Sequence, residues 1–83
     1  MKLFFTPSAY RQLRKLDLVI QKRILKKLRF YISQDNPLQF AEPIKDPKLG
    51  EWRFRIGAYR VIFDVEDNKI IILKIGHRKE IYK

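Results

Sequence analysis

The hydrophobic period of this chain changes once, and that change constrains its fold more than any other feature. Between Ala9 and Ile32 the apolar residues recur at helical spacing, whereas Trp52, Phe54 and Ile56 alternate with Glu51, Arg53 and Arg55 in the two-residue period of a strand with one buried face. Helices first and strands afterwards read as an α+β domain. With 83 residues there is room for one domain and not two, so residues 1–83 are taken as a single unit.

Within that frame Leu3, Phe4 and Phe5 predict a short strand, and Thr6-Pro7 offers an N-cap oxygen followed by a ring whose φ suits the first helical position. Ala9, Leu13 and Leu16 line one stripe of a short helix. Asp17 is placed to cap a second helix reaching about Ser33, with Ile20, Ile24, Leu28, Tyr31 and Ile32 on its apolar side. From Gln34 to Gly50 the period is lost and Pro37, Pro43 and Pro47 appear, so this stretch reads as a loop with room for one helical turn. Three antiparallel strands follow, over 52–56, 59–65 and 70–75, joined by Gly57-Ala58 and by a polar turn in which Asn68 is able to take positive φ. The run Ile70-Ile71-Ile72-Leu73 implies burial on both sides, which puts that strand inside the sheet with something other than the helices shielding its second face. The expected architecture is an N-terminal strand, a two-helix hairpin and a three-stranded antiparallel meander, with the helices packed on one face of a single four-stranded sheet.

Composition narrows the chemistry. With no cysteine and one histidine, thiolate zinc sites, iron–sulfur clusters, cysteine nucleophiles and histidine-rich metal sites are all unexpected, and no cofactor is called for. Apolar stretches fall far short of a membrane span, and Thr6-Pro7 interrupts the start before a signal-peptide core forms, so a soluble cytoplasmic protein without membrane association is expected. A net charge of +10 favours polyanions such as nucleic acid or the ribosome, or an acidic protein. Residues 1–33 hold nine basic groups and one acidic, residues 34–83 ten and eight, so the helices own the excess. Lys22, Arg23, Lys26, Lys27 and Arg29 form the wet side of the second helix, suited to phosphates; the alternative is an ordinary solvated surface.

The strand cations are arranged differently. Arg53 and Arg55, two apart, project from the face opposite Trp52, Phe54 and Ile56, and Arg60 joins them if Tyr59, Val61 and Phe63 point into the core. Like charges gathered on a sheet oppose folding, so the cluster suggests that an anion enters it; the alternative pairs these arginines with Glu51, Asp64 or Glu66. Near the end of the last strand, His77, Arg78 and Tyr82 add an imidazole, a guanidinium and a phenol of the kinds used on RNA.

The segments Gly57-Ala58-Tyr59-Arg60-Val61-Ile62-Phe63 and Gly76-His77-Arg78-Lys79-Glu80-Ile81-Tyr82, in the order strand, two helices, meander, closely resemble the RelE/ParE superfamily of toxins over essentially the whole chain. The second segment is nearer the RelE branch. That resemblance implies a type II toxin that enters the ribosomal A site and cuts messenger RNA without metal, by attack of a ribose 2′-hydroxyl on the adjacent phosphate. By motif position Arg60 would hold the scissile phosphate, Arg78 would stabilise the leaving oxygen, and Tyr82 would orient or stack on the nucleotide. Arg53 and Arg55 stand where relatives carry basic residues, often lysines; an arginine stays charged and is a poor base. His77 is then the expected proton-transfer group. Lys22, Arg23, Lys26, Lys27, Lys45, Lys48, Lys74 and Lys79 are expected to contact RNA. The implied partners are ribosomal RNA, messenger RNA and a RelB-like antitoxin, with a toxin–antitoxin heterotetramer as the assembly; Leu18, Val19, Phe30 and Phe40 are candidates for the groove that takes the antitoxin's apolar side chains. A ParE-like inhibitor of DNA gyrase without nuclease activity is the main alternative, and a toxin whose nuclease activity has decayed into an antitoxin-binding module is a third.

Overall fold

Thr6 starts the first helix as its sequence position predicts: in this computed structural model, which describes residues 1–82, its hydroxyl accepts the backbone N–H of Ala9 at 3.2 Å. The preceding residues form strand β1 (Lys2–Phe5), and helix α1 (Pro7–Arg14) buries Ala9 and Leu13. Helix α2 (Leu18–Ile32) follows after a tight turn and buries Ile24, Leu28 and Tyr31. Asp17 occupies the N-cap position, but its carboxylate makes no capping hydrogen bond. The turn is instead held by Gln21, whose Nε2 donates to the carbonyl oxygens of Leu16 at 2.7 Å and Arg14 at 3.2 Å.

The segment expected to be a loop contains one 3₁₀ turn (Pro37–Phe40) and then a strand, β2 (Ala41–Pro43). The sheet therefore has five strands rather than four, in the order β1-β5-β4-β3-β2, with β3 (Trp52–Ile56), β4 (Tyr59–Glu66) and β5 (Lys69–His77). Strand β2 escapes periodicity because it has only three residues and ends in a proline, which an edge strand tolerates; it exists through pairing with β3, Glu42 opposite Arg53. The sheet is mixed, since β1 runs parallel to β5 while the other pairs are antiparallel. In the β4–β5 turn it is Asp67, not Asn68, that takes the positive φ, at 55°.

One face of the sheet carries the helices. Phe54, Ile56, Val61, Phe63, Ile70, Ile72 and Ile75 pack there against Ala9, Leu13, Ile24, Leu28 and Tyr31. An aromatic stack runs through this layer, Phe40 on Tyr31 at 4.8 Å between centroids, Tyr31 on Phe54 at 4.6 Å and Phe54 on Phe63 at 4.4 Å. The second face has its own small core of Ile62 and Ile81, covered by the loop through Gly50 and by the C-terminal turn. Gly50 is required at its position, because a Cβ there would stand 2.7 Å from Ile62 Cγ2.

An irregularity in β5 sets the second face. Ile62 pairs with Lys74 but Phe63 pairs with Ile72, so Leu73 is an extra residue and the strand's alternation changes phase at that point. Ile70 and Ile72 face the helices; after the bulge Ile75 does, while Lys74 and Gly76 turn outward. Beyond the end of β1, the Ile75 N–H at the open flank of β5 is taken by Gln12 Oε1 of α1 at 2.8 Å.

Candidate functional site

The outward face of the β3–β4 hairpin gathers the charge. Arg53 and Arg55 project from β3 and Arg60 from β4, with Arg55 directly opposite Arg60 in register. Such a pair of like charges is unfavourable unless each finds acceptors. Arg60 Nη1 folds back onto its own turn, donating to the carbonyl oxygens of Gly57 at 3.0 Å and Tyr59 at 2.9 Å. Arg55 Nε lies 2.6 Å from Glu42 Oε1, and Arg53 Nη2 lies 3.7 Å from Glu42 Oε2. The carboxylate that meets these arginines thus comes from the unforeseen strand β2. Glu51 and Asp64, weighed as partners from sequence, serve the backbone: Asp64 Oδ1 accepts from the Glu51 N–H at 2.8 Å, and Glu51 Oε1 from the Val65 N–H at 3.0 Å. The bias of a residue before proline toward extended backbone was the one available signal for Glu42.

The C-terminal turn closes the site. Arg53 Nη1 donates to the Tyr82 hydroxyl at 2.9 Å and its guanidinium carbon lies 5.7 Å from the Tyr82 ring centroid. Arg53 Nε is buried with no hydrogen-bond partner. The Arg78 N–H donates to the carbonyl of Ala58 at 2.8 Å, which ties the start of this turn to the β3–β4 hairpin. Burial first, then the charges of Arg55, Arg78 and Arg53, hold the Arg60 guanidinium below its ordinary pKa, with Tyr82 opposing them. Arginines from three stretches, together with Tyr82, therefore act on one another electrostatically. Two of these guanidinium groups, Arg53 and Arg55, share the Glu42 carboxylate, while Arg60 feels the charges of Arg55, Arg78 and Arg53; such a concentration of arginines suits an anion, because their planar donors match phosphate oxygens.

Other expected residues lie elsewhere. His77 is opposite Tyr59, on the helix-facing side of the sheet, whereas Arg60 is opposite Gly76 on the outer side. The imidazole packs edge-on to Tyr59 at 5.4 Å, and Nδ1 accepts the Lys79 N–H at 3.1 Å. Lys74 shares the outer face, but its ammonium donates to the Ile81 carbonyl at 2.9 Å. Lys45, Lys48 and Lys79 are exposed on loops and turns, outside the arginine cluster's contacts. Lys22, Arg23, Lys26 and Lys27 lie on the exposed side of α2, where Arg23, Lys26, Lys27 and Phe30 line a groove of about 500 Å³. This groove belongs to the helix layer, although Arg23 reaches the Gly57 turn. Of the residues expected to line an apolar groove, Leu18 (69% exposed), Val19 (68%) and Phe30 (49%) are open to solvent, Phe30 alone of them borders the groove on α2, and Phe40 is half-buried against Tyr31.

The family model for the ParE toxin of the type II toxin–antitoxin system parDE matches residues 3–82. The chain belongs to the RelE/ParE superfamily of type II toxins. This toxin is 30% identical to Toxin RelG of Mycobacterium tuberculosis (strain ATCC 25618 / H37Rv) over 81 residues, 95% of the chain and 92% of the relative. Its fold matches the toxin–antitoxin complex RelBE2 of Mycobacterium tuberculosis with a TM-score of 0.80 at 28% identity, covering 93% of this chain and 96% of that one. The RelB–RelE antitoxin–toxin complex of Methanococcus jannaschii gives 0.73 at 25% identity, covering 95% and 94%. Helices on one side of a mixed five-stranded sheet are thus the toxin's α+β architecture. No helix among the described residues is long and apolar enough to cross a membrane.

Proposed function

We propose that this toxin is a ribosome-dependent endoribonuclease that cleaves messenger RNA in the A site, and that a RelB-like antitoxin neutralises it in a heterotetramer. One observation supports the reading: Arg53, Arg55 and Arg60 share the outer sheet face, Tyr82 accepts a hydrogen bond from Arg53, and the charge of Arg78 acts on Arg60. Arg60 holds the scissile phosphate, Arg53 and Arg55 offset the charge that grows on its oxygens, and Tyr82 orients or stacks on a neighbouring base. The 2′-oxygen bonds to phosphorus while the bond to the 5′-oxygen breaks, leaving a cyclic phosphate. Arg78 stabilises that departing oxygen, which takes its proton from water.

A base must accept the 2′-hydroxyl proton. Arginine stays protonated throughout the working pH range, and His77 belongs to the other face of the sheet. Glu42 takes that role, since its carboxylate already meets Arg53 and Arg55 where the phosphate would enter. The lysine-rich side of α2, with Lys45, Lys48 and Lys79, supplies sequence-independent attraction to ribosomal RNA.

The test is single-turnover cleavage on programmed ribosomes with 5′-end mapping. Arg60→Ala and Arg78→Ala each lower cleavage by about 10²–10³ while the circular-dichroism spectrum is unchanged, and cuts fall within translated frames between the second and third codon bases. Undiminished cleavage by both variants sinks the reading. The ParE description of the matching family model favours a second reading, inhibition of DNA gyrase; gyrase-linked DNA breaks without RNA cuts would establish it.

A further inference from the structure

We infer that Lys74 is a positioning residue: its ammonium pins the C-terminal turn that brings Arg78 and Tyr82 to the arginine cluster, an inference that rests on the nuclease reading for its consequence in catalysis but not for the latch itself. The two groups stand at opposite ends of the segment 78–82, which follows the last strand and contains a single buried side chain, Ile81. The turn begins with three bonds to His77. Its carbonyl accepts the N–H groups of Glu80 at 2.8 Å and Ile81 at 2.9 Å, and its Nδ1 accepts that of Lys79. Those bonds close the start of the turn; they leave the Ile81 carbonyl, next to Tyr82, to find a donor. Lys74 Nζ supplies it at 2.9 Å across seven residues of sequence, in a part-buried setting.

Two features of β5 are built for this contact. The extra residue at Leu73 changes the strand's phase, so that Lys74 points outward; with uninterrupted alternation it would follow Ile70 and Ile72 toward the helices. Two residues on, Gly76 leaves the space that Ile81 fills, since a Cβ there would stand 3.2 Å from Ile81 Cδ1. The ammonium and the isoleucine thus hold the same point of the turn, one by charge and one by packing. A half-buried lysine whose ammonium is directed at a backbone carbonyl is used as a clamp rather than as a free hand for RNA.

The variants are Lys74→Met, which keeps the apolar stem and removes the donor, and Lys74→Arg, which restores one. In the full-length free protein, hydrogen exchange of the Glu80 and Ile81 amides is expected to accelerate about tenfold in Lys74→Met, to return toward wild type in Lys74→Arg, and to leave the amides of α2 unchanged. On programmed ribosomes Lys74→Met is expected to lower kcat about tenfold, equivalent to about 1.4 kcal/mol, with KM unchanged because docking relies on cations elsewhere. Unchanged exchange at Glu80 and Ile81 overturns the latch whatever the activity. Faster exchange with undiminished kcat, in a protein whose Arg60→Ala and Arg78→Ala variants are inactive, overturns the positioning role and spares the nuclease reading. If wild type itself does not cleave, the nuclease reading and the catalytic consequence fall together, and exchange alone decides the latch.

Discussion

Replacing Glu42 with glutamine separates two accounts of the carboxylate among the arginines. The substitution keeps the side chain's size and one acceptor oxygen while removing its charge and its ability to hold a proton. If Glu42 only screens Arg53 and Arg55, little follows. Its side chain is 44% exposed and those of Arg55 and Arg53 are 55% and 23% exposed, so solvent weakens the ion pairs. Loss of stability in urea should then be about 0.5 kcal/mol, the range of exposed pairs. If Glu42 accepts the 2′-hydroxyl proton, single-turnover cleavage should fall by about 10²–10⁴, equivalent to about 3–5 kcal/mol of barrier, far more than the change in stability. Anion binding provides the opposite sign: with the internal carboxylate neutralised, tripolyphosphate should compete for the site at lower concentration, because the guanidinium groups have lost their anion. The expected outcome is tighter binding of the inert anion together with severely reduced cleavage. Tighter binding with full cleavage would refute the assignment of Glu42 as the base and leave it as a counter-ion.

Two further expectations concern the scaffold. Gly50→Ala forces a Cβ to within 2.7 Å of Ile62 Cγ2 and 3.1 Å of Leu73 Cδ1 at a φ of +146°, so it should destabilise the protein by about 3 kcal/mol, seen as a fall in Tm of about 12–24 °C; a shift under a few degrees would show that the Gly50 loop yields easily. Burial raises the Tyr31 phenol above its ordinary value of 10.0, so above that pH the unfolded chain loses a proton that the folded chain keeps, and stability falls as pH rises; Tyr31→Phe should flatten this alkaline slope in urea titrations, and identical slopes would contradict it.

Local chemistry was enough to make most of the elements legible in the sequence. Thr6-Pro7 starts α1, the spacing of Ile20, Ile24, Leu28 and Tyr31 identifies α2, and Gly57, with φ of 59°, turns β3 into β4. Arg53, Arg55 and Arg60 could be assigned to one face because a strand's two-residue period depends only on neighbours along the chain. Strand β2 was not legible, since three residues carry no usable period and their extended conformation is stabilised by a partner eleven residues away, Glu42 to Arg53. With β2 came Glu42, and so the carboxylate of the site.

Which face the end of β5 presents was beyond local reasoning for a different cause. Alternation carried forward from Ile70 and Ile72 turns Lys74 and Gly76 toward the helices and His77 outward, the reverse of what is observed. The extra residue at Leu73 reverses it, and no residue there announces a bulge: it is visible only in the pairing of β4 with β5, with Gln12 taking the Ile75 N–H beyond it. The sequence by itself determined the helices, the hairpin and the reservoir of cations, because those depend on spacing and composition. Only the tertiary structure decided that Tyr82 bonds Arg53 and that the charge of Arg78 acts on Arg60 while His77 faces the helices, because one residue of register exchanges the two faces of a strand.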